Sequence, residues 1–160
     1  DDEVLEIAND NAPGQIVISG HVKAVERAIE NSKNIGIKRA LKLTVSAPFH
    51  CSLMQPASEE MRNHLNNLKI NTPNIVLCNN FNAAFITDPE KIKDSLINQI
   101  TGRVRWKESV ENMSKLGKVE KFIELGSGSI LSGLVRRIDK NLDSIALESI
   151  SDIENFARIV

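Results

Sequence analysis

The residue in this chain best suited to acid–base chemistry is His50, in the stretch Ser46-Ala47-Pro48-Phe49-His50-Cys51-Ser52-Leu53-Met54. An apolar, strand-like run, Leu41-Lys42-Leu43-Thr44-Val45, leads into a proline-stiffened corner, and the histidine comes just before a helical pattern begins. A side chain on such a corner is held by scaffold yet reachable from solvent, which is what a general base needs. Spacing alone leaves a surface or helix-capping histidine as the alternative. Cys51 lies beside it, but neighbours in sequence point their side chains apart, and a Cys–His pair is normally assembled across a fold.

The other candidates are weaker. Gly126-Ser127-Gly128-Ser129 succeeds a strand pattern and opens a helical one, so that helix start is suited to receive an anion. It has neither the lysine of a phosphate loop nor the third glycine of a dinucleotide fingerprint, and a tight structural turn fits it better. No serine here sits in Gly-x-Ser-x-Gly, the elbow that exposes a nucleophile. Arg103 with Arg105 and Arg136 with Arg137 could grip a carboxylate or phosphate in two-pronged fashion, although solvated helix faces explain them as well. His21 falls at a helix start and His64 on a polar face. Glu59-Glu60 needs no acid–base role, and Trp106, at helical spacing, is most simply core.

Composition narrows the class of function. In 160 residues, 41% are hydrophobic and 26% charged, an ordinary globular balance with material for a real core. A net charge of −1 without a long basic block argues against nucleic acid and anionic membrane as partners. No apolar run approaches a membrane span, and the opening Asp1-Asp2-Glu3 has no signal-peptide character, so a cytoplasmic location is expected. Two cysteines, Cys51 and Cys78, are too few for a disulfide framework and lack metal-type spacing, and both are expected as reduced thiols.

The elements that must position these groups can be taken in chain order. Val4-Leu5-Glu6-Ile7-Ala8 reads as a short strand, residues 9–15 as a cluster of turn formers, and Ile16-Val17-Ile18-Ser19-Gly20 as a β-branched strand. Val22, Val25, Ala28 and Ile29 mark a helix that Gly36 stops. Residues 41–45 read as a strand, and residues 53–68 as a helix with Pro56 tolerated in its first turn. Ile75-Val76-Leu77-Cys78 is expected as a buried strand of a parallel sheet, and residues 79–84 as an asparagine-rich loop. A helix capped by Asp88 with Pro89 in first place, a second over 104–116, a strand over 119–125, a helix from Ile130, a strand over 144–147 and a terminal helix complete the chain. Alternation of this kind implies an α/β fold with a mostly parallel sheet.

Taken together, four stretches resemble the C-terminal half of bacterial malonyl-CoA:acyl-carrier-protein transacylase. They are Asn11-Ala12-Pro13-Gly14-Gln15 running on to His21; Lys38-Arg39-Ala40-Leu41 running into the His50 motif; Leu96-Ile97-Asn98-Gln99-Ile100 with Val104-Arg105-Trp106; and Glu124-Leu125-Gly126-Ser127-Gly128 with Leu131 and Gly133. The resemblance implies a small ferredoxin-like α+β lobe over residues 1–48, incomplete, and over 49–160 the C-terminal part of an α/β-hydrolase-like parallel-sheet core.

It also implies chemistry. In this family a serine on a nucleophile elbow takes the malonyl group from malonyl-CoA as an ester and passes it to the phosphopantetheine thiol of acyl carrier protein. His50 matches the catalytic histidine, Gln99 a glutamine whose main-chain carbonyl accepts the other imidazole N–H, and Asn11 an asparagine lining the site. No cofactor is implied, since the coenzyme A thioester is a substrate, and the intact enzyme is expected to be a monomer. Phe49 resembles a residue that, in related polyketide acyltransferase domains, accompanies malonyl selection, while Ala47-Pro48 departs from that pattern. The serine elbow, the arginine for the malonyl carboxylate and the glutamine of the oxyanion hole have no counterpart in this sequence. The chain is therefore expected to be a piece of a longer polypeptide, carrying a base without its nucleophile and inactive alone. A non-catalytic carrier-protein-binding fragment and an acyltransferase domain of a polyketide synthase are the alternatives.

Overall fold

The computed structural model describes residues 2–159 and mixes helices with short strands. Strands β1 (Leu5–Ala12) and β2 (Gln15–Gly20) form an antiparallel hairpin closed by Pro13 and Gly14. The expected turn cluster is thus much shorter than its composition suggests. Asn9, Asp10 and Asn11 remain in the strand because the ladder is irregular between Ile7 and Asn9 and again between Asp10 and Ala12, at Asn11 itself, and such bulges accommodate poor strand formers.

Helix α1 (Val22–Ser32) comes next, a turn of 3-10 helix continues it, and Gly36 ends it at φ 81°, where a side chain would be strained. The strand expected over residues 41–45 does not form. Leu41, Leu43 and Val45 are exposed, and among the described residues no strand lies alongside to complete a ladder, without which an extended run has no fixed neighbour. A short 3-10 turn (Ser52–Met54) leads into α2 (Gln55–Asn66), with Pro56 in the first turn.

The parallel strand expected over residues 75–78 is also corrected. Only β3 (Leu77–Cys78) pairs, antiparallel to β4 (Phe85–Ile86), and Ile75 and Val76 are exposed. A run of four apolar residues states that something must cover it, not what does. Helices α3 (Pro89–Asn98) and α4 (Trp106–Lys115) come after this hairpin. Asp88 caps α3 by accepting from the Glu90 and Lys91 amides.

A β–α–β unit occupies the last part of the chain: β5 (Lys121–Leu125), α5 (Ile130–Ile138) and β6 (Asp143–Leu147), with β5 and β6 parallel and in continuous register. This is the parallel sheet that alternation predicts, reduced to two strands among the described residues. Helix α6 (Ile150–Ala157) is the last element and starts on a capping box made by Ser149 and Asp152. Val110, Val135 and Leu142 form the core between α4 and α5, flanked by Trp106, Met113, Phe122 and Ile138. Among the described residues no helix is long and apolar enough to cross a membrane.

One set of contacts ties the beginning of the chain to its middle. The Val104 amide donates to the Ala8 carbonyl at 2.7 Å, and the Asp10 amide donates to the Val104 carbonyl at 2.8 Å. Strand β1 is thereby fixed to the connection between α3 and α4.

Candidate active site

The connection between α3 and α4 is also where His50 is held. Asp88 and Pro89 start α3, and the helix runs until Gln99, its C-terminal cap, whose carbonyl has no partner one turn further on. That carbonyl lies 3.0 Å from His50 Nδ1. A carbonyl only accepts, so Nδ1 carries the proton in this contact, and in the neutral ring Nε2 bears the lone pair. Among the described residues no hydrogen bond to Nε2 is found. The imidazole is a base with its accepting nitrogen set by the other.

The backbone around the ring is unusual. His50 has φ 59°, the left-handed region that a side chain enters at a cost of about 1–2 kcal/mol. The corner is over-determined by its neighbours. Cys51 is fully buried, and its thiol donates to the Pro48 carbonyl at 3.1 Å. The Phe49 amide donates to the Ala47 carbonyl and the Met54 amide to the Cys51 carbonyl. Cys51 therefore anchors the corner by packing and is a reduced thiol.

A further contact braces α3 against α2, the helix that comes after the His50 corner. The buried Ser58 of α2 donates to the Ile97 carbonyl of α3 at 3.1 Å, and Ile97 itself is 1% exposed. Beyond Gln99 the chain turns at Gly102, where a Cβ would lie 2.9 Å from both the Asn98 carbonyl and the Phe81 ring. The asparagine-rich loop packs against the far end of this connection. Asn80 accepts from the Arg105 amide, and buried Asn79 closes its own loop through the Ala84 carbonyl at 2.8 Å. By composition that loop is only polar; in the fold it is a scaffold for residues 99–105.

Asn11 lies in the irregular end of β1, half-buried, between Asp10 and Ala12. Its strand is bonded to Val104 and His50 to Gln99, so the same short connection carries both. Glu6 and Ser52 meet beside His50, a contact that the sequence does not single out. The Glu6 carboxylate of β1 accepts from the Ser52 hydroxyl and from the Ser52 amide at 3.3–3.4 Å. A charged residue inside an otherwise apolar strand run is the only trace of it in the sequence.

The Gly126–Ser129 corner behaves differently. The Glu124 carboxylate accepts from the Leu131 amide at 3.0 Å and the Ser132 amide at 2.8 Å, and Glu148 accepts from the Gly128 amide at 3.0 Å. The amides that hold Glu124, that of Ser132 foremost, keep its carboxyl below its ordinary pKa. The helix start is filled from within. Three of the four arginines named above have partners within the chain: Arg105 pairs with Glu108, Arg136 donates to the Ser144 carbonyl at 2.6 Å and Arg137 to Gln15. His64 pairs with Glu60 on the polar face of α2, whereas His21 accepts the Val4 amide and so steadies the hairpin. Among the described residues no group of three or more His, Cys, Asp or Glu is placed to hold a metal ion.

Comparison with known proteins supplies the frame for this geometry. The chain is 44% identical over 154 residues to the malonyl CoA-acyl carrier protein transacylase of Haemophilus influenzae, covering 96% of this chain and 48% of that protein. The chain is homologous to the C-terminal half of malonyl CoA-acyl carrier protein transacylases. An acyl carrier protein S-malonyltransferase from Vibrio cholerae superposes with a TM-score of 0.91 at 47% identity, over 97% of this chain and 50% of that one. A malonyl-transacylase solved in complex with a type II polyketide acyl-carrier protein gives a TM-score of 0.93 at 35% identity, over 99% and 51%. No family model matches. The chain spans about half the length of the transacylases it matches.

Proposed function

We propose that this chain supplies the base for malonyl transfer from malonyl-CoA to the phosphopantetheine thiol of acyl carrier protein, in fatty acid biosynthesis. The observation that carries the reading is the 3.0 Å contact between His50 Nδ1 and the Gln99 carbonyl. It leaves Nε2 to take the proton of a serine hydroxyl as that oxygen attacks the thioester carbonyl. Coenzyme A leaves as its thiol with that proton, and a seryl malonyl ester remains. In the second half Nε2 takes the carrier thiol proton, the sulfur displaces the serine oxygen, and the proton returns to serine. The C-terminal end of α3 faces the ring, the sign of helix dipole that suits the imidazolium formed in between. Gln99 thus does with a carbonyl what an aspartate does in a serine protease.

In this reading Asn11 lines the acyl site, the serine nucleophile lies in a part of the polypeptide outside this sequence, and no cofactor takes part. Residues 1–48 belong to a ferredoxin-like lobe and 49–160 to a hydrolase-like core. The intact enzyme is a cytoplasmic monomer, with neither nucleic acid nor membrane as partner. The polyketide carrier bound by the TM-score 0.93 neighbour supports a second reading in which the carrier belongs to polyketide synthesis.

The test is malonyl transfer from radiolabelled malonyl-CoA to holo acyl carrier protein. The chain alone is expected to transfer nothing above background, and the polypeptide that carries it together with a Gly-x-Ser-x-Gly segment is expected to turn over. Turnover by the chain alone would overturn the division of labour proposed here. Substituting fatty-acid and polyketide carriers in the same assay separates the two readings.

A further inference from the structure

We propose that Glu6 is a positioning residue for His50, acting through Ser52 as an N-cap supplied from a distant strand; the proposal rests on the reading of His50 as the base. The 3-10 turn after His50 begins at Ser52, and the residue in the cap position, Cys51, makes no side-chain cap bond because its thiol is turned to the Pro48 carbonyl. The Ser52 amide is therefore a first-turn donor with no local acceptor. Glu6, 46 residues earlier, provides it with both carboxylate oxygens and also accepts from the Ser52 hydroxyl.

The contacts form a closed circuit. Glu6 lies on β1, Ala8 and Asp10 of the same strand are bonded to Val104, the chain runs back from Val104 to Gln99, Gln99 holds His50, and Ser52 two residues on returns to Glu6. His50 sits inside that circuit in a left-handed conformation that its own residue type disfavours. Its ring is gripped at Nδ1, and its backbone is gripped on the C-terminal side by Glu6. With the second grip gone, the ring keeps an acceptor but loses a fixed Cα to pivot from, and the direction of Nε2 spreads.

The experiment compares Glu6→Ala, Glu6→Gln, Ser52→Ala and the double variant Glu6→Ala/Ser52→Ala with His50→Ala, in the polypeptide that carries this chain. The readouts are kcat and KM for malonyl transfer, and nitrogen-15 spectra of the His50 ring. Glu6→Ala is expected to lower kcat about tenfold with KM within about twofold, since misplacement of a base costs rate and not binding. It also broadens the His50 ring signals while the Nδ1-protonated tautomer is kept, since the Gln99 carbonyl still accepts. Glu6→Gln, which keeps an accepting oxygen, falls between, and the double variant is no worse than Glu6→Ala. Unchanged kcat and ring signals in Glu6→Ala, beside an inactive His50→Ala, overturn the positioning role alone. An active His50→Ala overturns the base assignment and the positioning role with it. Should Glu6→Ala not fold, Glu6→Gln and Ser52→Ala decide on the same two readouts: losses in kcat with altered ring signals support the role, and wild-type values overturn it.

Discussion

The His50 corner and the Gly126–Ser129 corner are built from the same parts and end in opposite states. Each leads from extended chain into a helical segment, each has a residue or glycine at positive φ, and in each a carboxylate outside the turn accepts from first-turn amides. At Gly126–Ser129 the carboxylates of Glu124 and Glu148 take the amides of Gly128, Leu131 and Ser132. At His50 the carboxylate of Glu6 caps the turn two residues away, and the ring is held by a carbonyl that engages one nitrogen only. The difference teaches that two helix-start corners of like build can differ in what their internal partners leave unpaired. Glycine content and turn shape do not decide it.

The strongest way to break this contrast is to remove the group that one corner has and the other lacks. His50→Ala, assayed in a polypeptide that also carries the serine, is expected to lower kcat for malonyl transfer by about 10²- to 10⁴-fold, the usual worth of a positioned general base. Ser127→Ala at the other corner is expected to leave it within about twofold. Equal losses at the two corners would erase the distinction.

A smaller effect tests the frame beneath His50. Ile97→Ala removes a fully packed side chain two residues before the carbonyl that holds the ring, and is expected to cost about 2–5 kcal/mol by denaturant titration. Ser58→Ala removes the hydroxyl that donates to the Ile97 carbonyl and is expected to cost about 1 kcal/mol. Ile97→Ala keeps the main-chain carbonyl that Ser58 bonds, so a double-mutant cycle measures how far the packing of Ile97 and the Ser58 hydrogen bond depend on each other. Strict additivity would mean that the hydrogen bond and the Ile97 packing support the end of α3 independently.

The sequence disclosed more of the second half than of the first. Helices α1 to α5 carried their own periodicity, and two ends were signalled: Asp88 with Pro89 announced α3, and Gly36 announced the end of α1. The β5–α5–β6 unit was legible because strand, glycine turn and amphipathic helix agree with one another. Residues 41–45 and 75–78 misled for one reason. Apolar β-branched runs record a demand for burial, and which strand meets that demand depends on a partner that is not local. In the site, the His50 corner was visible as a motif, and Gln99 entered through family resemblance alone because a main-chain carbonyl has no residue signature. Glu6 and Ser52 were invisible as a pair, since a separation of 46 residues parts a donor and acceptor that only the fold joins.

The smallest effect sharpens the comparison from the side of the filled corner. The amides that hold Glu124 depress its carboxyl, so the folded chain binds its proton less readily than the unfolded chain does. The contribution to stability is then fully present above the ordinary carboxylate value of 4.5 and is lost as pH falls through the lower folded value. Asp152 in the α6 capping box is shifted in the same direction, chiefly by Ser149, and adds to the same acid limb from an ordinary value of 3.8. Melting temperature is therefore expected to fall between about pH 5 and pH 3, and Glu124→Gln is expected to flatten part of that fall, with a change of no more than a few degrees at neutral pH. Thermal scans of both chains across this range decide it. Parallel curves would mean that Glu124 does not fill the helix start in solution, and the Gly126–Ser129 corner would then be as open as the corner at His50.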